Sequence, residues 1–279
     1  MAVLDLGPQL VGEGVNLAYA RSGSPVLRRF QPRDLATAGH VVESVRREGK
    51  HFVVHFRGVG DAMVFHFGMS GRLSVIPADP SDPSWPPGGP HAQLALALAG
   101  AWLVYVDPRK FGSVRWATPE EVAAWALVPD PIRDPKFGEA DLRARVQRPA
   151  WGRRAVKPLL MDPRFISGVG NIYAAEALHL AGVHPAARAR DLSHGQLSDL
   201  AHALADVLRA AVLRGGTSVK SYRRAGGSTG SHQYWLRVYG RTSCGSCEHP
   251  VSRVAQCGRI THFCPQCQPA RDGAAQEAS

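Results

Sequence analysis

The sequence predicts an α+β multidomain chain, with an antiparallel β domain first, a basic helical domain next and a small metal module last. Three observations carry this expectation. Short alternating apolar segments run through residues 50–107. Helical periodicity and Gly/Pro punctuation replace them after about residue 115. All five cysteines fall within "CGSCEHPVSRVAQCGRITHFCPQC", residues 244–267. The expected divisions are 1–115, 116–235, 236–268 and a disordered tail at 269–279.

In the first division, "KHFVVHF" (50–56), "AMVFHFG" (62–68), "RLSVIP" (72–77), "QLALALA" (93–99) and "WLVYVD" (102–107) read as strands. Their apolar positions alternate, and turn residues separate them. "PADPSDPSWPPGGP" (77–90) is too rich in Pro and Gly for helix or interior strand and is expected as a loop. Several short strands in series predict an antiparallel sandwich or barrel.

The helical signals follow. "TPEEVAAWAL" offers Thr118 as N-cap, Pro119 in the first turn, and Glu120 and Glu121 facing the helix dipole. "SHGQLSDLAHALADVLRAAVLRGG" is the clearest helix. Ser193 caps it, Leu197, Leu200, Ala201, Leu204, Val207, Leu208 and Ala211 share one face, and Gly215 and Gly216 stop it. "AGGSTGSH" (225–232) is expected as a mobile loop.

The net charge of +10 is uneven. Residues 1–147 hold 16 Lys/Arg against 15 Asp/Glu, whereas residues 148–279 hold 17 against 8. The second half is suited to a polyanion, although a solvated basic surface would read the same way. No run of eighteen apolar residues suggests a membrane span, and no basic start leads into an apolar block as a secretory signal would. A cytoplasmic protein without a membrane partner is expected.

The cysteines give the strongest chemical signal. Cys244/Cys247 and Cys264/Cys267 form two C-x-x-C knuckles sixteen residues apart. Four thiolates satisfy a tetrahedral zinc ion and close its coordination sphere, so one structural Zn2+ per chain is expected. Cys257 is left over, a bystander between the knuckles.

A second signal is "KPLLMDPRFISGVGNIYAAEALHLAGVHP" (157–185), in which Gly168 to Asn171 turn directly into a helix. Free amides at a helix start attract phosphate, but a Gly-rich turn can also be a tight helix–helix connection. The whole phrase resembles the helix–two-turn–helix of the formamidopyrimidine-DNA glycosylase/endonuclease VIII family. Further pieces match in order: "LGPQLVG" (6–12), "RREGKHFVVHF", "HFGMSGRL", "DPRKFG", "RVYGR" and "GRITHFCPQCQ". The resemblance spans nearly the entire chain.

It implies an N-terminal β-sandwich, a helix–two-turn–helix domain and a C-terminal zinc β-hairpin. It also implies base-excision repair: removal of oxidised purines from duplex DNA, then cleavage of the backbone as an AP lyase. On these matches Met69, Arg109 and Phe111 fill the void left by a flipped base. Without the resemblance, Met69 and Phe111 would more often be core residues, although "DPRKFG" between strand and turn argues for exposure. Lys50, His91, Arg153, Lys157, Asn171 and Arg259 match DNA contacts, and Lys50 and Arg259 match proton donors in backbone cleavage. Duplex DNA with damaged or abasic sites is the expected partner. The protein is expected as a monomer, nucleoid-associated when bound.

One expected piece has no match. The family's nucleophile is an N-terminal proline followed by glutamate, whereas this chain reads "MAVLDLGPQLVG". Three readings stand: a start upstream of the present Met1, a paralogue that binds lesions without cutting, or another amine such as Lys50 or that of Ala2. A zinc-ribbon RNA-binding protein is a further class, which would call for aromatics exposed on strands.

Overall fold

A computed structural model describes residues 2–27, 39–78, 86–217 and 230–270. The expected mobile loop (225–229 of it), the middle of the Pro-rich loop and residues 271–279 of the tail lie outside these. The chain divides into two compact units, residues 1–126 with 215–231, and residues 127–214 with 232–279.

The first unit opens with helix α1 (Ala2–Leu10) and then eight strands: β1 (Gly14–Ala20), β2 (His40–Glu48), β3 (His51–Phe56), β4 (Ala62–His66), β5 (Arg72–Pro77), β6 (Ala92–Leu98), β7 (Ala101–Val106) and β8 (Ser113–Ala117). They join in the order β5-β7-β6-β1-β2-β3-β4-β8, with every pair antiparallel. β4 and β7 lie far apart in that order, yet Phe65 and Tyr105 meet with ring centroids 5.7 Å apart. The sheet therefore folds over on itself into a sandwich, closing one core around Phe52, Phe56, Phe65, Leu94, Leu96 and Leu103.

Alternation decides which side chains enter that core. Phe52, Val54 and Phe56 of β3 face inward, while Val53 faces the opposite way with Ala62, Val64 and Ala117. Helix α2 (Pro119–Ala126) covers this outer face with Val122 and Trp125. It starts as the sequence suggests. Thr118 Oγ1 accepts from Glu121 N at 3.4 Å, and a Glu121 carboxylate oxygen accepts from Thr118 N at 3.2 Å.

The second unit is helical. α3 (Glu139–Val146), α4 (Pro149–Gly152), α5 (Val156–Leu160), α6 (Asn171–Leu180) and α7 (His194–Leu213) share a core built from Leu159, Leu160, Phe165, Ile166, Leu178, Leu200 and Leu204. All seven residues of the apolar face read from the sequence in α7 are buried. Its capping box is formed by Ser193 and Gln196, and Gly215 and Gly216 beyond its end take φ of +77° and +87°. The unit ends in a two-stranded hairpin, β9 (Ser252–Gln256) with β10 (Arg259–Phe263). Among the described residues, no helix is long and apolar enough to cross a membrane.

Candidate nucleic-acid interface and metal centre

Two knuckles bring four sulfurs together. The Sγ atoms of Cys244, Cys247, Cys264 and Cys267 all lie within 4.8 Å of one another, with Cys244–Cys267 at 3.9 Å, Cys247–Cys264 at 3.5 Å and Cys267–Cys247 at 3.4 Å. Zn–S bonds of about 2.3 Å in a tetrahedron put sulfurs about 3.8 Å apart, so the donor set fits this ion. Backbone N–H groups support the sulfurs, Ser246 N donating to Cys244 at 3.4 Å and Cys267 N to Cys264 at 3.5 Å. Four protein ligands leave no open position, so the chemistry a bound ion supplies is cross-linking. Cys257 stands outside the cluster, exposed in the hairpin turn at φ +48°.

Helix α6 anchors this module from beneath. The buried Glu176 carboxylate accepts three consecutive backbone N–H groups, from Arg237 at 2.7 Å, Val238 at 3.0 Å and Tyr239 at 2.8 Å. One turn further along, His179 Nε2 lies 3.2 Å from Cys244 Sγ. Sequence reading missed both residues, because the partners of an acidic side chain on a helix depend on what packs over it.

The start of α6 gathers three of the expected DNA contacts. Gly168 takes φ +81°, which a residue with a side chain rarely adopts, and lets the chain turn into the helix at Gly170, its N-cap. Asn171 then sits at the first helical position. Its Oδ1 accepts from Lys157 Nζ, and its Nδ2 donates to the Ile260 carbonyl at 3.1 Å, beside Arg259 on the hairpin. Burial, followed by the Arg259 charge, pushes Lys157 down to about 8. Arg259 is exposed, as is Arg153 at the C-terminal end of α4.

The remaining expected residues lie on the first unit. Lys50 is exposed in the turn between β2 and β3. Its neighbour His51 stacks on Trp125 at 4.3 Å and pairs across the strands with His66. Burial, then the nearby His66, pushes His51 down to about 4. His91 is exposed just before β6. Met69 and Phe111 are 45% and 56% exposed, which removes them from the core. The Arg109 guanidinium lies 4.9 Å from the Phe111 ring centroid, a cation on an aromatic face. A Cβ on Gly68 (φ +57°) would come within 2.7 Å of the Phe111 carbonyl carbon, so the Met69 loop runs directly against the Phe111 loop.

The matches to known proteins agree with this architecture. A family model described as the formamidopyrimidine-DNA glycosylase N-terminal domain matches residues 2–114, and one described as the formamidopyrimidine-DNA glycosylase H2TH domain matches residues 127–223. The chain belongs to the formamidopyrimidine-DNA glycosylase family. The formamidopyrimidine-DNA glycosylase of Gluconobacter oxydans is 38% identical over 267 residues, covering 92% of this chain and 93% of that protein. That of Alkalilimnicola ehrlichii is 36% identical over 277 residues, covering 94% and 95%. Among solved structures, the MutM (FPG) protein of Thermus thermophilus is 32% identical, covers 96% of both chains and superimposes with a TM-score of 0.80. A Lactococcus lactis FPG mutant, solved with DNA containing Fapy-dG, is 26% identical, covers 96% of both chains and has a TM-score of 0.81.

Proposed function

We propose that this chain is a base-excision repair DNA glycosylase and AP lyase acting on oxidised purines in duplex DNA. The observation that carries this reading is the exposed cluster of Met69, Arg109 and Phe111, two adjacent loops that present a flexible apolar wedge and a cation-capped ring. An enzyme that works on a stacked base must extrude it and fill the hole. Phe111 and Met69 replace the lost stacking, and Arg109 meets the hydrogen-bonding edge of the orphaned partner base.

Affinity comes from phosphate contacts that read no sequence, as a search for damage requires. Lys157, Asn171 and Arg259 form one such grip, and Arg153, His91 and Lys50 are further contacts. The structural zinc holds the hairpin that presents Arg259. In the reaction, a neutral amine attacks C1′ of the damaged nucleoside and the base departs. The resulting Schiff base is drained by elimination of the flanking phosphates, with Lys50 and Arg259 as proton donors.

A second reading, lesion binding without cleavage, is kept on one observation: the family's amino-terminal Pro-Glu pair has no match in the given sequence, which opens Met1-Ala2-Val3. Borohydride trapping on a duplex containing 8-oxoguanine separates the two, using this chain and an amino-terminally extended form. A covalent adduct from either form supports the enzyme. Tight binding to an abasic duplex with no adduct from either form supports the binder. Absence of both binding and adduct refutes each.

A further inference from the structure

We propose that Asp107, through Ser70, is a positioning residue that sets the loops carrying Met69, His91, Arg109 and Phe111 as one rigid device. This rests on the void-filling reading above. Asp107 is fully buried at the end of β7, and every part of it is engaged. Its Oδ1 accepts the Ser70 hydroxyl at 2.5 Å, and its Oδ2 accepts the Gly112 N–H at 2.8 Å. Ser70 adjoins Met69 and Gly112 adjoins Phe111, so one carboxylate spans both loops of the wedge.

Ser70 completes the link. While its hydroxyl donates to Asp107, its oxygen accepts from Arg109 N at 3.2 Å. The Asp107 backbone adds a third segment, its N–H donating to the His91 carbonyl at 3.1 Å. Gln93 Nε2 doubles that connection, donating to the His91 carbonyl at 2.9 Å and the Asp107 carbonyl at 3.3 Å. Gln93 is itself oriented by Ser24, whose hydroxyl donates to Oε1 at 2.7 Å.

The surroundings leave little freedom. The Tyr105 hydroxyl donates to the His66 carbonyl at 3.1 Å, just before the Met69 loop. A side chain at Gly112 would meet both that hydroxyl and that carbonyl. Lys110, between Arg109 and Phe111, takes φ +56°, and its N–H donates to the Asp107 carbonyl at 3.3 Å. A left-handed, non-glycine residue persists only where its surroundings over-determine it, and here they do. The arrangement orders the loop backbones before DNA arrives, so that cost is not met during base extrusion.

The test uses the full, metal-loaded chain and a duplex carrying an abasic-site analogue opposite 2-aminopurine. Stacking quenches this base, so side chains inserted beside it raise its emission whether or not any bond is cut. Asp107→Asn keeps the shape but loses one acceptor, and Ser70→Ala removes the bridge to Arg109. Both variants are expected to keep the wild-type salt dependence of binding, since the cationic phosphate contacts Lys50, Arg153, Lys157 and Arg259 are untouched. Both should lose most of the emission rise, and single-turnover excision of 8-oxoguanine, where the parent chain performs it, should slow by about tenfold or more. In a Met69→Ala/Arg109→Ala/Phe111→Ala background, neither should cause a further loss. A wild-type rise in both variants, or a further loss in that background, overturns the positioning role. Should Asp107→Asn fail to fold, Ser70→Ala alone carries the test. A wild-type protein that gives no rise overturns the void-filling reading, and this proposal with it.

Discussion

Replacing Glu176 probes how the metal module is fastened to the helical unit. Its carboxylate accepts three backbone N–H groups, at 2.7, 3.0 and 2.8 Å, in a site only 4% exposed. Hydrogen bonds to a charged acceptor contribute about 1.5 kcal/mol each at the low end, so Glu176→Ala is expected to cost about 4 kcal/mol. Glu176→Gln is milder. Its oxygen can take the Oε1 position and keep Val238 and Tyr239, but its amide then confronts the Arg237 N–H, at a cost of about 2 kcal/mol. The assay is urea unfolding of the metal-loaded protein, followed by metal release to a colorimetric chelator. With a urea dependence of about 2 kcal/mol per molar, the release midpoint should fall by about 2 M for alanine and about 1 M for glutamine. Midpoints for both variants indistinguishable from wild type would refute the claim that these bonds hold segment 237–239.

Other expectations follow from the titrating and metal-binding groups. Burial holds His51 neutral, with its pKa lowered from 6.5 to about 4, and the nearby His66, Arg115 and Lys50 act in the same direction. The unfolded chain then binds the extra proton first, so stability from this group is present above pH 6.5 and lost as pH falls toward 4. The loss is about 3 kcal/mol at most. His51→Gln should flatten that slope in unfolding followed by tryptophan fluorescence. Lys157, at about 8, loses its charge as pH rises through that value. Duplex affinity should therefore weaken between pH 7.5 and 9 in the wild type by more than in Lys157→Gln, as measured by fluorescence anisotropy. Removing the metal, or making Cys264→Ser, should lower duplex affinity by about tenfold or more while the helical circular dichroism largely persists. Cys257→Ser should leave metal content and affinity at wild-type values.

Much of the fold was legible in the residues because local rules wrote it. The β3 alternation, the Ser193 cap, the Gly215-Gly216 stop and the paired knuckles depend on neighbours within a few positions, and each forms the local structure that its pattern implies. Strands β1, β2 and β8 were less visible. Asn16 and Glu43 put polar groups into segments whose pairing comes from strands distant in sequence. The site divides along the same line. The motifs named candidate residues and "DPRKFG" argued for exposure, but it was the closed sandwich that left Met69 and Phe111 outside the core. What tertiary structure alone decided is the supporting layer. Asp107 reaches Ser70 across 37 residues, and Glu176 reaches Val238 across 62. A carboxylate reads the same in sequence whether water or a buried backbone amide will meet it. Only the packing that excludes the water assigns its partner.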